Sequence, residues 1–273
     1  MSADSRQVYR GLDIGTAKAP PADRARVPHH GVDLVDPDVR FSVADFVRCA
    51  DAALAAVAAR DGLAILVGGT GLYLRAVARG LDTTARPADP ERRAALEAEL
   101  VRHGLPALVG RLEALAPETA TRVDLANPRR VLRALEVAEL VGDVPPPPLD
   151  GYRGPIAWIG LDVGRSVHRR WIAERARAQF DAGLAEEARA LRERWDPTLA
   201  AFSAIGYAEA WALLDGRLDR DTAIERDAAR NVAFARRQRT WFRAEPDIVW
   251  LDPSASDPVP TALDAARRLV AMG

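Results

Sequence analysis

The chain is 273 residues long, with 48% hydrophobic and 28% charged residues, so it can bury a sizeable core in one large domain or two smaller ones. Its formal net charge of -1 excludes a protein that coats nucleic acid through an overall basic surface, so any RNA contact must be local. A single cysteine, Cys49, excludes an internal disulfide framework, and no apolar run approaches the roughly 20 residues that a membrane span needs.

The N-terminal part of the chain predicts a strand end, a polar loop and then a helix. Ser2 to Gln7 fits the strand end followed by the loop. Phe41 to Asp61 is alanine-rich and predicts a helix, because Ser42 and Asp45 have the spacing of a capping box.

A strand, a glycine turn and a second helix are predicted next. Leu63 to Val67 is a short apolar run, Gly68-Gly69-Thr70-Gly71 follows it, and Leu72 to Arg79 has helical periodicity. The first 80 residues are therefore typical of β-α units in a parallel sheet. Functional sites in such sheets lie at the carboxyl ends of the strands, where both polar loops occur.

The middle of the chain predicts a helical insertion from Asp89 to about Gly142. Pro90 suits a first helical position, Gly104 suits a C-terminal cap, and Asn127-Pro128 predicts the start of another helix. Residues 144–155 contain four consecutive prolines, which predict a linker back to the core.

The last third of the chain predicts two short strands among long helices. The strands are residues 156–161 and 248–251, the helices residues 169–195, 207–214 and 221–243, and a final helix follows.

Two polar segments are candidate sites, and local pattern leaves both open. Asp4 could act in a functional loop or simply cap a turn. The glycine turn 68–71 could bind phosphate, because small residues let the backbone approach a ligand and a helix N-terminus offers N–H donors. It could equally be a tight turn between a strand and a helix.

Two other segments suggest ligand sites that their spacing does not support. Gly11 to Lys18 lacks the Gly-x-x-x-x-Gly-Lys-Ser/Thr spacing of a nucleotide-binding loop, and no such motif occurs in this sequence. His29 and His30, with Asp33 and Asp36, match no standard zinc pattern, so we expect a structural role for them and no protein metal site.

Arginines cluster on two predicted helices and could contact RNA phosphates, although ion pairs on a solvated helix face are the more ordinary explanation. The clusters are Arg129, Arg130 and Arg133, and Arg236, Arg237, Arg239 and Arg243.

Taken together, the segments closely resemble the tRNA dimethylallyltransferase family, also called the IPP transferase family. The resemblance spans nearly the whole chain and rests on residues 4–18, 28–37, 67–73, 133–137, 183–184, 204–207 and 237–243. It implies an α/β fold with a P-loop-NTPase-like parallel sheet core flanked by helices. The implied segments are residues 1–81 and 151–273 for the core and residues 82–150 for a tRNA-binding helical insertion.

The resemblance also implies the reaction. Members transfer a dimethylallyl group from dimethylallyl diphosphate to the exocyclic amino nitrogen of the adenosine 3′ of the anticodon, in tRNAs that read codons starting with U. Magnesium assists the departure of the diphosphate. Asp4 matches the general base, and Thr70 and Arg175 match residues that stabilise the leaving group, together with Gly68 and Gly69.

The family further implies contacts to the anticodon stem-loop. The matching positions are Asp4, Ser5, Arg6, Gln7, Gly71, Arg93, Arg129, Arg130, Arg133, Gly206 and Tyr207.

The sequence shows no signal stretch of basic and then apolar residues. We therefore expect a cytoplasmic monomer with no membrane contact.

One departure affects the expected activity. Members of this family begin with a strand, a Gly-Pro-Thr-x-x-Gly-Lys-Ser/Thr loop and a helix, and this sequence contains none of these. The resemblance therefore implies that the chain as written lacks the family's first strand, phosphate loop and magnesium-binding hydroxyl, and that it is inactive or nearly so. A start codon assigned too far downstream is the explanation that we favour, and a truly shortened gene product is the rival explanation. Two alternatives stay open, a non-catalytic RNA-binding remnant and a dimethylallyltransferase that acts on free adenine nucleotides.

Overall fold

The structure is a computed structural model, and it describes residues 1–60, 62–80, 89–145 and 150–272. Its helices are α1 Pro21–Arg26, α2 Val43–Ala58, α3 Gly71–Arg79, α4 Pro90–Leu115, α5 Pro117–Ala120, α6 Pro128–Val141, α7 Arg165–Asp181, α8 Leu184–Arg194, α9 Tyr207–Leu214, α10 Arg220–Arg243 and α11 Val259–Met272. The strands are β1 Trp158–Leu161 and β2 Ile248–Leu251, and a 3-10 helix spans Ala200–Ser203.

The chain divides into two compact units. The first combines residues 1–80 with residues 151–273, and the second is residues 81–150. Within the first unit, β1 and β2 pair in parallel with Trp158 opposite Ile248. Two isolated parallel bridges lie outside this two-stranded sheet, Ser2 with Val67 and Tyr9 with Val35.

Predicted helix starts are confirmed where the sequence carries a capping signal. Ser42 and Asp45 form the reciprocal capping box of α2. Asp89 caps α4 with Pro90 in its first turn, and Asn127 caps α6 in the same way. These side chains accept the N–H groups that have no partner within the first helical turn.

Some predicted helix boundaries differ from the structure, because glycines with a positive φ interrupt the helices. Gly104 has φ 76° and breaks α4 into two helical segments, as its predicted capping role requires. The single helix expected over residues 169–195 is wrong, because Gly183, at φ 100°, separates α7 from α8. Helix α2 ends at Ala58, and Asp61, the last residue of the predicted helix, lies outside the described residues.

The predicted strand Leu63 to Val67 forms only one bridge. Residues 1–3 supply its backbone partners on one side, through the bonds from Met1 to Ile65 and from Ala3 to Val67. The side chains of Ile65 and Val67 are each 65% exposed. A segment paired over so short a length cannot build a regular ladder.

The first unit has two hydrophobic clusters. The larger contains Tyr207, Phe202, Trp211 and Leu184, and Trp211 meets the ring of Phe202 edge-on at 5.3 Å between centroids. The smaller lies under the N-terminus, where Phe46 stacks on Tyr73 at 4.1 Å.

The second unit has a core of its own, between α4 and α6. Its large buried side chains include Leu96, Leu108, Leu112, Val131 and Leu135. The insertion predicted over residues 82–150 includes residues 82–88 and 146–149, which lie outside the described residues. Three of the four consecutive prolines of the predicted linker fall in the second of these gaps. Within the described residues, no helix is both long and apolar enough to cross a membrane.

Candidate active site

Asp4 lies in a turn immediately after the bridge between Ser2 and Val67. Its Oδ1 accepts the backbone N–H groups of Arg6, at 2.7 Å, and Gln7, at 3.4 Å. The carboxylate therefore caps its own turn, as one of the two interpretations of the sequence expected. Its Oδ2 accepts no hydrogen bond within the described residues, which leaves a proton-accepting atom on a fixed carboxylate.

Thr70 joins this turn to the glycine turn. Its Oγ1 accepts the N–H of Ser5 at 3.1 Å, and its own N–H donates to Ala3 at 3.2 Å. Because the N–H of Ser5 occupies the Thr70 oxygen as an acceptor, the hydroxyl hydrogen remains available for donation. The structure thus places Asp4 and Thr70, predicted from distant parts of the sequence, on either side of Ser5.

The glycines of this turn are required by close packing. A Cβ at Gly68 would lie 2.2 Å from the carbonyl oxygen of Ala3, so only glycine permits the approach of the two backbones. The turn ends at α3, whose first N–H groups, those of Gly71 and Leu72, have no backbone acceptor in the described part of the chain. Such groups can bind an anion.

Helix α10 packs against the glycine turn through two of its side chains, a role that sequence reasoning missed. Gln238 donates from Nε2 to the carbonyl oxygen of Gly69 at 3.1 Å. The indole of Trp241 lies against Gly71, with the guanidinium of Arg75 over its ring at 4.6 Å from the centroid. The signal that could have revealed this contact is the Gln238 and Trp241 spacing, which places both side chains on one helix face.

Arg6 and Gln7 are held by other parts of the first unit. Arg6 donates from its guanidinium to the carbonyl oxygen of Ala200 at 2.8 Å. Gln7 accepts the hydroxyl of Ser2 at 2.7 Å and donates to the carbonyl oxygen of Thr16 at 2.9 Å. The side chains of Arg6 and Gln7 are therefore held in place before any substrate binds.

Lys18 has a structural role. Its Nζ donates to the carbonyl oxygen of Tyr9 at 2.6 Å, to Asp13 at 2.8 Å and to Asp33 at 2.5 Å. Partial burial raises the pKa of Asp33, but the hydrogen bonds from Lys18 and Arg24 outweigh it and hold that pKa below its ordinary value. Asp33 is thus engaged by cations.

Gly206 and Tyr207 begin α9 in the core. Gly206 has φ 105°, which favours glycine. Tyr207 is 0% exposed, and its hydroxyl donates to Glu187 at 2.7 Å. Burial, followed by the nearby Glu187 carboxylate, raises the pKa of this phenol. Its side chain would have to leave the core to contact tRNA.

Arg175 projects from α7 and is exposed. It makes no hydrogen bond or ion pair to residues 68–71 within the described residues, so the structure does not bring it to the glycine turn. Its charge instead acts on Asp227, a carboxylate that is 1% exposed. Burial and then the neighbouring Glu209 raise the pKa of Asp227 to about 6.

In the second unit, two of the predicted RNA contacts share one buried carboxylate. Arg93 and Arg133 both donate to Oε2 of Glu136, whose Oε1 accepts the N–H of Asp89 at 3.1 Å. Burial raises the pKa of Glu136, but the bonds from Arg133 and Arg93 dominate and lower it.

The other two predicted contacts face solvent. Arg130 lies 3.6 Å from Asp124, and Arg129 is exposed without an ion pair to any described residue.

The described residues do not form a site that would hold magnesium by themselves. No group of three or more His, Cys, Asp or Glu side chains in the described ranges could hold a metal ion. Asp4 is a lone carboxylate whose Oδ1 is already bound by backbone N–H groups. We therefore derive no catalytic step through magnesium.

Known proteins resemble this chain over most of its length. A model of the IPP transferase family matches residues 7–245. A tRNA dimethylallyltransferase of Anaeromyxobacter dehalogenans is 46% identical over 258 residues, which cover 93% of this chain and 86% of that protein. One from Thermus thermophilus is 45% identical over 92% of this chain and 83% of its own length.

Solved structures agree with these relatives. A tRNA isopentenylpyrophosphate transferase of Bacillus halodurans superposes with a TM-score of 0.69 at 36% identity, and the match covers 99% of this chain and 86% of that one. This chain has a small parallel sheet flanked by helices, as the P-loop-NTPase-like core predicted from the sequence requires.

Proposed function

Because this chain belongs to the IPP transferase family, we propose that it transfers a dimethylallyl group from dimethylallyl diphosphate to the exocyclic amino nitrogen of an adenosine in tRNA. The chain is a transferase, as its relatives are. Our proposal extends to the adenosine 3′ of the anticodon, to tRNAs that read codons starting with U, and to a monomer that works in the cytoplasm.

The observation that carries this proposal is the single hydrogen bond between the two polar turns. Ser5 follows the candidate base Asp4 and donates to Thr70, the residue of the glycine turn that immediately precedes α3. A proton acceptor and a site for a leaving diphosphate thus lie on adjoining backbone segments. Prenyl transfer to an amino group needs both, because a proton is lost as the diphosphate departs.

The chemistry follows from these positions. The adenine nitrogen attacks the allylic carbon, the bond from that carbon to the diphosphate oxygen breaks, and the amino proton passes to Oδ2 of Asp4. The N–H groups of Arg6 and Gln7 hold Oδ1, so the orientation of the carboxylate is set in advance. The Thr70 hydroxyl and the start of α3 stabilise the negative charge on the departing diphosphate.

We attribute the affinity for RNA to individual arginines, because a net charge of -1 gives the chain no overall electrostatic attraction for RNA phosphates. Arg129 and Arg130 are the exposed candidates. Arg93 and Arg133 are held in fixed orientations by Glu136, which suits them to a directed phosphate contact.

The test measures RNA binding and transfer separately, since this sequence contains no Gly-x-x-x-x-Gly-Lys-Ser/Thr loop and we expect slow turnover from it. An anticodon stem-loop is incubated with labelled dimethylallyl diphosphate and excess protein, so that one slow turnover is visible. Asp4→Asn keeps an oxygen for the N–H groups of Arg6 and Gln7 but cannot take a proton. We expect it to bind RNA normally and to lower the transfer rate by roughly 10²- to 10⁴-fold.

The control is Asp38→Asn, a matched change at an exposed carboxylate that makes no hydrogen bond to the described residues. Transfer to the stem-loop that survives in this control and falls in Asp4→Asn supports the proposal. Failure of the unaltered chain to bind the stem-loop contradicts it, and transfer to free adenosine monophosphate in preference to RNA would establish the nucleotide-modifying alternative.

A further inference from the structure

A single carboxylate on α8 collects four hydrogen bonds. Oε2 of Glu187 accepts the N–H groups of Asp13, at 3.1 Å, and Ile14, at 2.8 Å. Its Oε1 accepts the N–H of Gly15 at 3.1 Å and the hydroxyl of Tyr207 at 2.7 Å. Hydrogen bonds to an ionised acceptor are the stronger ones, so this is a firm attachment of the loop that contains residues 13–15.

The opposite side of the same loop is also held. Gln179 of α7 donates from Nε2 to the carbonyl oxygens of Ile14, at 2.7 Å, and Gly15, at 3.1 Å. A Cβ at Gly15 would lie 2.6 Å from the ring of Tyr207, so the loop is packed closely against that side chain. Three helices therefore fix both the N–H and the C=O groups of this loop.

The loop is connected in turn to the candidate active site. The carbonyl oxygens of Thr16 and Ala17 accept Nε2 of Gln7 at 2.9 and 3.3 Å. Because Nε2 of this amide is committed to the loop, its Oε1 is left for the hydroxyl of Ser2. The N–H of Gln7 donates to Asp4 at 3.4 Å, so hydrogen bonds joined by the backbone of residues 13–17 and by Gln7 itself connect Glu187 with the candidate base.

We propose that Glu187 is a positioning residue that fixes the loop of residues 4–7 for recognition of the target adenine. It acts through the loop of residues 13–17 and the side chain of Gln7, and it touches neither substrate. This inference rests on the proposed function, because it concerns how that site distinguishes adenine from other bases. Replacement of the carboxylate by an amide leaves a single acceptor oxygen, so at least one of the three N–H groups loses its partner, and the loop must rearrange to satisfy it.

The distinction between adenine and other bases is the property that this role controls. Phosphate contacts position an RNA without reading its bases, whereas base-edge hydrogen bonds need donors and acceptors at fixed places. Loosening residues 4–7 therefore weakens discrimination more than it weakens overall affinity. A role in folding alone would change the amount of active protein and leave discrimination as it is.

The test compares Glu187→Gln with Glu186→Gln. The control residue is the neighbouring glutamate of the same helix, is exposed, and makes no hydrogen bond to the described residues. Each variant and the unaltered chain are titrated with two anticodon stem-loops, one with adenosine and one with inosine at the target position. The ratio of the two Kd values is independent of the fraction of protein that is folded.

We expect the ratio to fall about tenfold in Glu187→Gln, as for the loss of one base-reading contact, and to be unchanged in Glu186→Gln. Equal ratios in the two variants would overturn the inference. If the unaltered chain binds neither RNA, the proposed function fails, and amide hydrogen exchange of residues 4–7 then decides the role of Glu187. Faster exchange in Glu187→Gln alone supports it, and unchanged exchange overturns it.

Discussion

The indole edge of Trp241 lies against Gly71, so close that a Cβ on the glycine would be 2.2 Å from Cδ1 and Nε1 of the ring. Helix α10 and the first residue of α3 are thereby in direct contact. The position of the glycine turn depends on this contact and on the bond from Gln238 to Gly69.

Gly71→Ala is expected to destabilise the chain by about 1–3 kcal/mol, because a rigid aromatic ring must move to admit the added methyl group. Urea unfolding measures the loss. The control is Gly164→Ala, in the same unit, where an added Cβ meets nothing within 4 Å. Equal stability of the two variants would show that the ring moves without cost.

Asp33→Asn is expected to destabilise the chain at pH 7 by roughly 1–3 kcal/mol, since Lys18 and Arg24 lose a charged acceptor. Asparagine tolerates the left-handed conformation of this residue, at φ 54°, so backbone strain is not added. The folded-state pKa of Asp33 lies below its ordinary 3.8, so its stabilisation is present above pH 3.8 and is lost as the pH falls further. Urea unfolding should therefore show the two proteins converging at acid pH, and a gap that persists there would contradict this origin.

Asp227→Asn is expected to have the opposite effect. The pKa of this carboxyl is raised to about 6 in the folded chain, so the folded state holds a proton that the unfolded state releases near pH 4. Stability should consequently decrease as the pH rises from about 4 to 6, and the variant, which cannot ionise, should be up to about 3 kcal/mol more stable than the unaltered chain at pH 7. Thermal unfolding between pH 4 and 8 measures this, with the exposed Asp221→Asn on the same helix as the control.

Arg129→Ala is expected to weaken binding of the anticodon stem-loop and to lower the slope of log K against log salt by about 1, the effect of losing one phosphate contact. Arg102→Ala, an exposed arginine in α4 of the same unit, provides the matched comparison. Equal slopes in the two variants would remove Arg129 from the proposed RNA surface.

The helices that could be predicted from the sequence have their start signals in adjacent residues. Helices α6 and α9 begin at Asn127-Pro128 and at Gly206-Tyr207, where the cap and the first turn are read from adjacent residues. The strand predicted at 63–67 needed pairing partners that its own pattern does not specify.

Contacts between distant parts of the sequence were equally hard to predict at the candidate active site. The resemblance indicated Asp4 and Thr70, and the structure then showed Ser5 between them. Glu187 could not have been found, because its contact with Asp13 joins residues 174 positions apart. No local periodicity encodes such a contact, and a glutamate in an arginine-rich amphipathic helix is most simply read as a solvated side chain.

The burial of Lys18 has a practical consequence for studies in solution. It is the only lysine in the sequence, and its side chain is 1% exposed. Amine-reactive probes therefore cannot reach an ε-amino group while the loop around it is closed. Covalent labelling of Lys18, followed by mass spectrometry, would record each opening of that loop without any engineered reporter.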